Sequence, residues 1–251
     1  MNYHRENTKA VLLVGGLGTR LRSVVASTPK PLASVGDRPF LELLIRQLSS
    51  QGMRHLVLCT GYLAHEIEKE LASGSRWDVV IEYSKEANPL GTGGALKAAA
   101  PLLAGVSHFV VMNGDSFMEI DFGEIIQLHH KSGGVATLAV IRRKNEMRYG
   151  SVQVTVGGRV TGFTEKSDHS GGLVNAGIYV FSRAIFDHIP EGPVSLERDV
   201  FPELIEHGVY AAEQKGVFID IGTPDDYARA QILCDRLYEA AYRKQTSNTT
   251  D

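Results

Sequence analysis

Short apolar runs alternate along the first half of the chain with stretches in which hydrophobic residues recur every three or four positions. Residues 11–14, 56–59 and 79–81 are continuous apolar runs, the pattern of strands buried on both faces. Residues 40–48 carry a helical stripe, and a second, shorter helix is predicted at 66–71. This alternation predicts a mainly parallel sheet with helices on both faces, in which ligands bind at the carboxyl ends of the strands.

The second half of the chain adds an antiparallel element to this pattern. Residues 149–154 and 160–166 alternate apolar and polar positions around Gly157 and Gly158, which predicts a hairpin that shares the sheet. Thr223 predicts the capped start of a long terminal helix, with Asp225 and Asp226 as further capping groups. The other predicted elements are strands at 108–112, 135–141 and 217–222 and helices at 96–100, 124–128 and 195–207, the last kinked at Pro202.

Composition and charge narrow the class of protein. With a formal charge of −3 over 251 residues, the chain has no basic field for nucleic acid or an anionic membrane. Cys59 and Cys234 are too few for a disulfide framework or a cysteine metal site. No apolar run approaches the roughly 20 residues of a membrane span, and residues 1–9 lack the apolar core of a signal peptide. We therefore expect a cytoplasmic protein with no nucleic-acid or membrane partner. His129 and His130 have no metal ligands near them in the sequence and are interpreted as surface or structural residues.

Three glycines follow the first predicted strand at once. Gly15, Gly16 and Gly18 let the backbone turn tightly and approach a ligand closely, and Arg20 and Lys30 follow. Backbone N–H groups and fixed cations beyond a buried strand suit a polyphosphate, although the glycines alone would also fit an ordinary turn. The stretch lacks the G-x-x-x-x-G-K-[ST] string of a P-loop and the G-x-G-x-x-G string of a dinucleotide site. These two classes of phosphate loop are excluded.

The string GGLGTRL, followed by PKP, resembles the opening motif of the sugar-nucleotide pyrophosphorylases, which join an NTP to a sugar 1-phosphate. The resemblance implies an α/β, Rossmann-like (GT-A-type) fold: a mainly parallel mixed sheet, helices on both faces and a small antiparallel sugar-binding insertion. It further implies one nucleotidyltransferase domain over residues 1–243, followed by a polar tail. Within that domain we expect a nucleotide-binding half at 8–143, a sugar-binding half at 144–222 and a C-terminal helix at 223–243.

Two further segments resemble the family's nucleotide site. Residues 90–95 match its L-G-T-[GA]-G-A motif, although from the residues alone the segment could also be a tight packing point before a helix. Asn113, Gly114 and Asp115 follow a predicted strand and could alone be a surface turn, but they match the family's metal-binding motif. The nucleotide-binding residues that the resemblance implies are Leu13, Gly15, Gly16, Gly18, Thr19, Gly91, Thr92, Gly93, Gly94, Asn113 and Gly114.

Three groups in the second half resemble the family's sugar-phosphate site. They are Tyr149 with Gly150, Glu165 with Lys166, and Asn175. An E-K pair on a hairpin is usually a solvated face, but the order and spacing of all three groups match the family. Asp220, in the string DIGTP, matches the second metal carboxylate.

The reaction that the resemblance implies is NTP + sugar 1-phosphate → NDP-sugar + pyrophosphate. The attacking phosphate oxygen is already anionic, so alignment and charge stabilisation suffice and no side-chain nucleophile is needed. Arg20 and the glycine loop would hold the β- and γ-phosphates, Lys30 the α-phosphate and Lys166 the attacking phosphate. Asp115 and Asp220 would bind Mg²⁺.

The strings GGLGTRLRSVV, PKPLASV and RPFLELLI most resemble the bacterial heptose 1-phosphate guanylyltransferases, and the chain lacks hexapeptide repeats. This implies GTP and D-glycero-α-D-manno-heptose 1-phosphate as substrates and a homo-oligomer, expected to be a dimer. Transfer of UMP, dTMP, CMP or GMP to a hexose 1-phosphate stays open. Choline-phosphate cytidylyl transfer is disfavoured by the retained sugar motifs, and a non-catalytic sugar-nucleotide sensor by the retained catalytic residues.

Overall fold

A computed structural model describes residues 8–16, 18–21, 24–25, 28–143, 151–164 and 172–242. The strands of this part of the chain, in chain order, are β1 (Lys9–Leu13), β2 (Ser34–Val35), β3 (Arg38–Pro39), β4 (His55–Thr60), β5 (Val80–Lys85), β6 (His108–Asn113), β7 (Ser116–Met118), β8 (Ala136–Arg143), β9 (Ser151–Val154), β10 (Val160–Thr164), β11 (Gly172–Ser182), β12 (Val209–Gln214) and β13 (Phe218–Asp220).

The α-helices of the described residues are α1 (Phe40–Ser50), α2 (Ala64–Leu71), α3 (Gly91–Ala98), α4 (Phe122–Ser132), α5 (Phe201–Leu204), α6 (Pro224–Ile232) and α7 (Cys234–Tyr242). Short 3₁₀ turns cover Thr19–Leu21, Lys30–Leu32, Ser75–Trp77, Ala100–Leu103, Arg183–Asp187 and Ile205–His207, and a π-helical turn covers Leu196–Val200. None of the helices in this part of the chain has the length and apolar character needed to cross a membrane.

One nine-stranded sheet organises these elements. Strands β6, β1, β4 and β5 are neighbours in that order and run parallel. On the other side of β6, the long strand β11 runs antiparallel and pairs with β6, β8 and β9, while β10 completes the hairpin with β9. The predicted hairpin therefore forms, and it shares the sheet with the parallel strands.

Alternating residues of the strands face two apolar layers, because successive side chains point to opposite faces of a sheet. On one face, Leu12 of β1 and Met112 of β6 belong to a cluster with Phe40 of α1. On the other, Val11 belongs to a cluster with Leu96 of α3. All five side chains are fully buried, and each such burial contributes roughly 1.5–3 kcal/mol. The two layers hold the carboxyl ends of β1, β4 and β6 at one edge.

Three helices differ from their predicted forms. Helix α3 begins at Gly91 rather than near Leu96, because residues 192–194 pack against its first turn. The predicted helix at 195–207 consists of a π-helical turn, α5 and a 3₁₀ turn. Pro202 lacks an N–H and so interrupts the helical hydrogen bonding there. The predicted long terminal helix is two helices, α6 and α7, separated at Leu233. The predicted cap of α6 is present, since the Thr223 side chain accepts from the Asp226 N–H.

Candidate active site

Two cavities lie at the carboxyl edge of the parallel strands. The smaller, of about 280 Å³, is lined by the loop after β1, by the start of α3 and by Glu86. The larger, of about 790 Å³, is lined by residues of β9, β10 and β11 and by residues 197–202. Asn113 and Asp115 line both cavities. A ligand that filled both would therefore pass these two residues.

Close backbone packing explains two of the glycines in the smaller cavity. A side chain at Gly15 would collide with the Glu86 carboxylate, and one at Gly114 would collide with Val14. The Gly114 N–H also donates to the Leu13 carbonyl at 2.9 Å, which fixes the turn after β6 against the end of β1. The two glycines therefore allow the loops after β1 and β6 to lie side by side at the cavity wall.

Lys30 lies between the two predicted metal carboxylates. Its Nζ is 2.6 Å from Asp115 Oδ2 and 4.0 Å from Asp220 Oδ1, and its side chain is only 10% exposed. Strand β13 pairs antiparallel with β7, which places Asp220 opposite Ser116, and the Ile221 N–H donates to the Asp115 carbonyl. The fold thus brings together three residues that are far apart in the sequence.

The environment of Asp220 makes its carboxyl group harder to ionise than that of a free aspartate. Burial raises the pKa of this carboxyl to about 6, the neighbouring Asp115 carboxylate acts in the same direction, and the Lys30 ammonium opposes both. The Gly222 N–H donates to Asp220 Oδ1 at 2.5 Å and fixes the orientation of the carboxylate. Two neighbouring, partly buried carboxylates are stabilised by a nearby cation, and in this structure Lys30 provides it.

The donor set around Lys30 fits the predicted Mg²⁺. Mg²⁺ takes oxygen ligands and is usually bound by one or two carboxylates together with substrate phosphates and water. Asp115 and Asp220 supply two such carboxylates. No group of three or more His, Cys, Asp or Glu side chains in the described ranges could enclose a metal ion by itself. The arrangement therefore suits a metal that arrives with a phosphate ligand.

The remaining predicted nucleotide residues fall into two sets. Gly91 and Thr92 line the smaller cavity together with Leu13, Gly15, Gly16, Gly18, Asn113 and Gly114. Gly93 and Gly94 face the other way: their N–H groups both donate to the Val194 carbonyl, at 2.8 and 3.3 Å. A side chain on either would press against residues 192–194. These two glycines are explained by the packing of α3.

Arg20 and Asn175 lie at the larger cavity. Arg20 is exposed in the turn that also contains Thr19, which is exposed too. The Asn175 side chain is held at both ends, because its Oδ1 accepts from the Gly177 N–H and its Nδ2 donates to the Tyr179 hydroxyl, each at 2.9 Å. The other predicted sugar-phosphate residues, Tyr149, Gly150, Glu165 and Lys166, lie outside the described residues.

Two carboxylates of the site were not predicted from the sequence. Glu86 follows β5, and its Oε2 accepts from the Leu90 N–H at 2.9 Å; burial raises the pKa of Glu86, and this hydrogen bond partly opposes the shift. Its position directly after a parallel strand is a signal that could have identified it. Glu197 lies in the π-helical turn and lines the larger cavity. No local pattern distinguishes Glu197 from the other acidic residues of its segment.

Comparisons with known proteins agree with this architecture. The D-glycero-alpha-D-manno-heptose 1-phosphate guanylyltransferase of Aneurinibacillus thermoaerophilus is 39% identical to this chain, over 89% of this chain and 96% of that protein. The mannose-1-phosphate guanylyltransferase catalytic subunit beta of Drosophila melanogaster is 36% identical over 90% of this chain. The chain spans only 62% of the length of that second relative.

A solved structure has the same fold. HddC from Yersinia pseudotuberculosis, complexed with GMP-PN, matches with a TM-score of 0.80 and 32% identity, over 90% of this chain and 98% of that chain. The predicted α/β fold class, with its mainly parallel sheet and small antiparallel part, is confirmed. A family model for nucleotidyl transferases matches residues 9–235. The family resemblance is confirmed as well, and this chain belongs to the nucleotidyl transferase family.

Proposed function

We propose that this protein transfers GMP from GTP to a sugar 1-phosphate, releasing pyrophosphate. Its preferred acceptor is D-glycero-α-D-manno-heptose 1-phosphate. The observation that carries this proposal is the position of Lys30 between Asp115 and Asp220, where the two cavities meet. A nucleotide in the smaller cavity and a sugar phosphate in the larger would bring their phosphates to these three residues.

The chain's own groups can align and stabilise the transfer. The Lys30 ammonium would hold an oxygen of the α-phosphate, where negative charge builds up as the sugar phosphate oxygen attacks and pyrophosphate leaves. The glycine loop would bind the outer phosphates through its N–H groups. Arg20 would hold the β- and γ-phosphates together with this loop, and Lys166 would hold the attacking phosphate of the sugar. Mg²⁺ bound by Asp115 and Asp220 would supply further neutralisation of the phosphate charge.

Glu86 supports guanine as the base. Guanine presents two neighbouring donors, N1–H and the N2 amino group, which complement a carboxylate. One Glu86 oxygen is engaged by the Leu90 N–H, and the other lies beside Gly15 and Gly61 at the wall of the smaller cavity. Uracil and thymine have one donor on the Watson–Crick edge, N3–H, and would leave one oxygen of the half-buried Glu86 carboxylate less well satisfied.

The relatives support the choice of heptose. The heptose 1-phosphate guanylyltransferase is matched along 96% of its length, whereas the mannose-1-phosphate enzyme of Drosophila melanogaster is matched along 62%. Mannose 1-phosphate is therefore the second candidate acceptor. Tyr149, Gly150 and Glu165 remain predicted sugar ligands. We further propose that the protein is cytoplasmic and forms a homodimer. Sedimentation analysis of the purified protein would test the dimer.

The experiment measures pyrophosphate release with Mg²⁺ for four NTPs crossed with heptose, mannose and glucose 1-phosphates. We expect the highest kcat/KM for GTP with the heptose phosphate. A higher value for GTP with mannose 1-phosphate would replace the acceptor and keep the base. Release only with UTP, CTP or dTTP would overturn the guanylyl assignment. No release with any pair would overturn the proposed function.

A further inference from the structure

Glu197 holds a position that the proposed mechanism leaves unused. Its Oε2 accepts hydrogen bonds from the hydroxyls of Thr92, at 2.8 Å, and Ser195, at 3.0 Å. Its Oε1 accepts from the Tyr179 hydroxyl at 3.1 Å. An ionised carboxylate has about four acceptor positions, so the hydrogen bonds made by the described residues leave one position on Oε1 unfilled. The half-buried side chain borders the larger cavity.

The three hydroxyls that hold Glu197 are themselves fixed. The Leu196 N–H donates to Thr92 Oγ1 at 2.8 Å, so the Thr92 hydroxyl points its hydrogen at the carboxylate. Tyr179 is fully buried, and its hydroxyl accepts from Asn175 while donating to Glu197. Burial, reinforced by the nearby carboxylate, raises the pKa of Tyr179 well above its usual value, so the phenol remains a donor.

This network connects the two cavities. Thr92 lies in the first turn of α3 at the smaller cavity, whereas Asn175 and Tyr179 belong to β11 at the larger one. The Glu197 carboxylate accepts hydrogen bonds from both sides, from Thr92 at the smaller cavity and from Tyr179 at the larger one. Its negative charge repels a phosphate and favours a hydroxyl donor. A sugar 1-phosphate in the larger cavity would therefore turn its phosphate towards Lys30 and a ring hydroxyl towards Glu197.

We propose that Glu197 determines acceptor specificity by accepting a hydrogen bond from one hydroxyl of the sugar on the free position of Oε1. This rests on the proposed function, since it names a further contact to the same acceptor. The hydroxyls of Thr92, Ser195 and Tyr179 hold the carboxylate in place for that contact. The ligand class is a polyhydroxylated sugar 1-phosphate.

The test combines protein variants with altered substrates. Wild type, Glu197→Gln and Glu197→Asp are assayed with GTP and with monodeoxy analogues of the sugar 1-phosphate that the wild type uses. Wild type should lose about 10- to 100-fold in kcat/KM for one particular analogue, as expected for a lost hydrogen bond to a charged group. In Glu197→Gln the normal sugar should lose a similar factor, and removal of that same hydroxyl should then cost less than about 3-fold.

Matched controls separate recognition from structure. Glu203→Gln changes an exposed carboxylate of α5 and should leave every kinetic constant within about 2-fold. Thr92→Val removes one hydroxyl that holds Glu197 and keeps the carboxylate itself. If Glu197 were only structural, the Gln variant would lower activity with all deoxy analogues by one common factor. That result would overturn the proposal.

The outcome is distinguishable from failure of the proposed function. Wild-type turnover with GTP, combined with equal deoxy-sugar profiles in wild type and Glu197→Gln, overturns the role of Glu197 and keeps the function. If the wild type turns over no pair, calorimetric titration with the sugar 1-phosphates decides: at least 10-fold weaker binding to Glu197→Gln supports the contact, and equal affinity overturns it. Glu197→Asp keeps the charge and serves if the Gln variant does not fold.

Discussion

The two cavities that meet at Asp115 are lined by different kinds of residue. The lining of the smaller includes five glycines, Gly15, Gly16, Gly18, Gly91 and Gly114, at which the backbone can come close to a ligand. The larger is lined by side chains that include Phe163 of β10 and Asn175 of β11, together with Glu197 and Phe201 of the irregular helical segment at 196–204. Backbone N–H groups suit phosphates, which all NTPs share, whereas side chains can discriminate between acceptors.

Charged side chains occupy the boundary between the two cavities. Lys30 and Asp115 form a close ion pair at 2.6 Å, and Asp220 Oδ1 lies 4.0 Å from the same ammonium. Both cavities share Asp115, so a change at this boundary should affect the chemical step whichever base or sugar is bound. Changes within one cavity should affect one substrate. The following predictions test this division, from the largest expected effect to the smallest.

Lys30→Ala should lower kcat on the order of 10³-fold, because it removes a cation placed where transition-state charge develops. Pyrophosphate release with saturating GTP and sugar 1-phosphate measures the effect, and circular dichroism checks that the fold is retained. Lys85→Ala removes an exposed lysine paired with Glu68 and is the matched control, with kcat unchanged. A Lys30→Ala enzyme with near-normal kcat would remove Lys30 from the mechanism.

Glu86→Gln should change the preference for the base without changing the binding of the sugar 1-phosphate. The amide offers one acceptor and one donor where the carboxylate offers two acceptors, so kcat/KM for GTP should fall about 10-fold while KM for the sugar 1-phosphate stays the same. Glu66→Gln changes a carboxylate of α2 whose side chain is 44% exposed, and it is the control. Equal losses for GTP and UTP would show that Glu86 supports the cavity wall without reading the base.

A change at His129 should alter the stability of the fold without altering either cavity. It is buried against Thr137 and lines neither cavity, and burial, together with His130 and His108, lowers its pKa to about 4. The folded state therefore resists protonation below the ordinary pKa of 6.5, and stability is lost as the pH falls through the window between these values. This residue should contribute about 2 kcal/mol of destabilisation at pH 5 relative to pH 8.

Chemical denaturation at the two pH values measures this effect. The variant His129→Gln should lose less stability on acidification than the wild type, while its kcat at pH 8 stays the same. His108 and His130 remain in that variant, and burial lowers the pKa of both, so part of the acid sensitivity persists. An unchanged pH dependence in His129→Gln would exclude His129 as its main source.

The sequence predicted the glycine-rich smaller cavity better than the larger one. The loop after β1, Lys30, Asp115 and Asp220 belong to contiguous motifs, and the alternation of strands and helices predicts that their strand ends meet. Glu197 could not be predicted from the sequence, because its role depends on hydrogen bonds with residues 92 and 179, which are remote in sequence. Gly93 and Gly94 are similar, since their contacts with residues 192–194 depend on the tertiary structure.

The same limit explains the errors in the helices. Local propensity placed the start of α3 at the alanine-rich residues 96–100, but the Val194 carbonyl accepts from Gly93 and Gly94 and stabilises the earlier turn. Likewise, the periodicity of the C-terminal region does not show that α6 and α7 break at Leu233. Helix α7 packs on α1, whereas α6 contacts β2 and β13. The two helices therefore serve different neighbours.

The most direct test of the central claim is the position of a metal in a ternary crystal. Crystals grown with Mn²⁺ and a non-hydrolysable GTP analogue would be measured at the manganese absorption edge. We expect an anomalous peak within coordination distance of the Asp115 and Asp220 carboxylates and of the α-phosphate, and its loss in Asp220→Asn but not in Asp225→Asn. A nucleotide bound in the smaller cavity with the metal elsewhere, or a peak that persists in Asp220→Asn, would contradict the account.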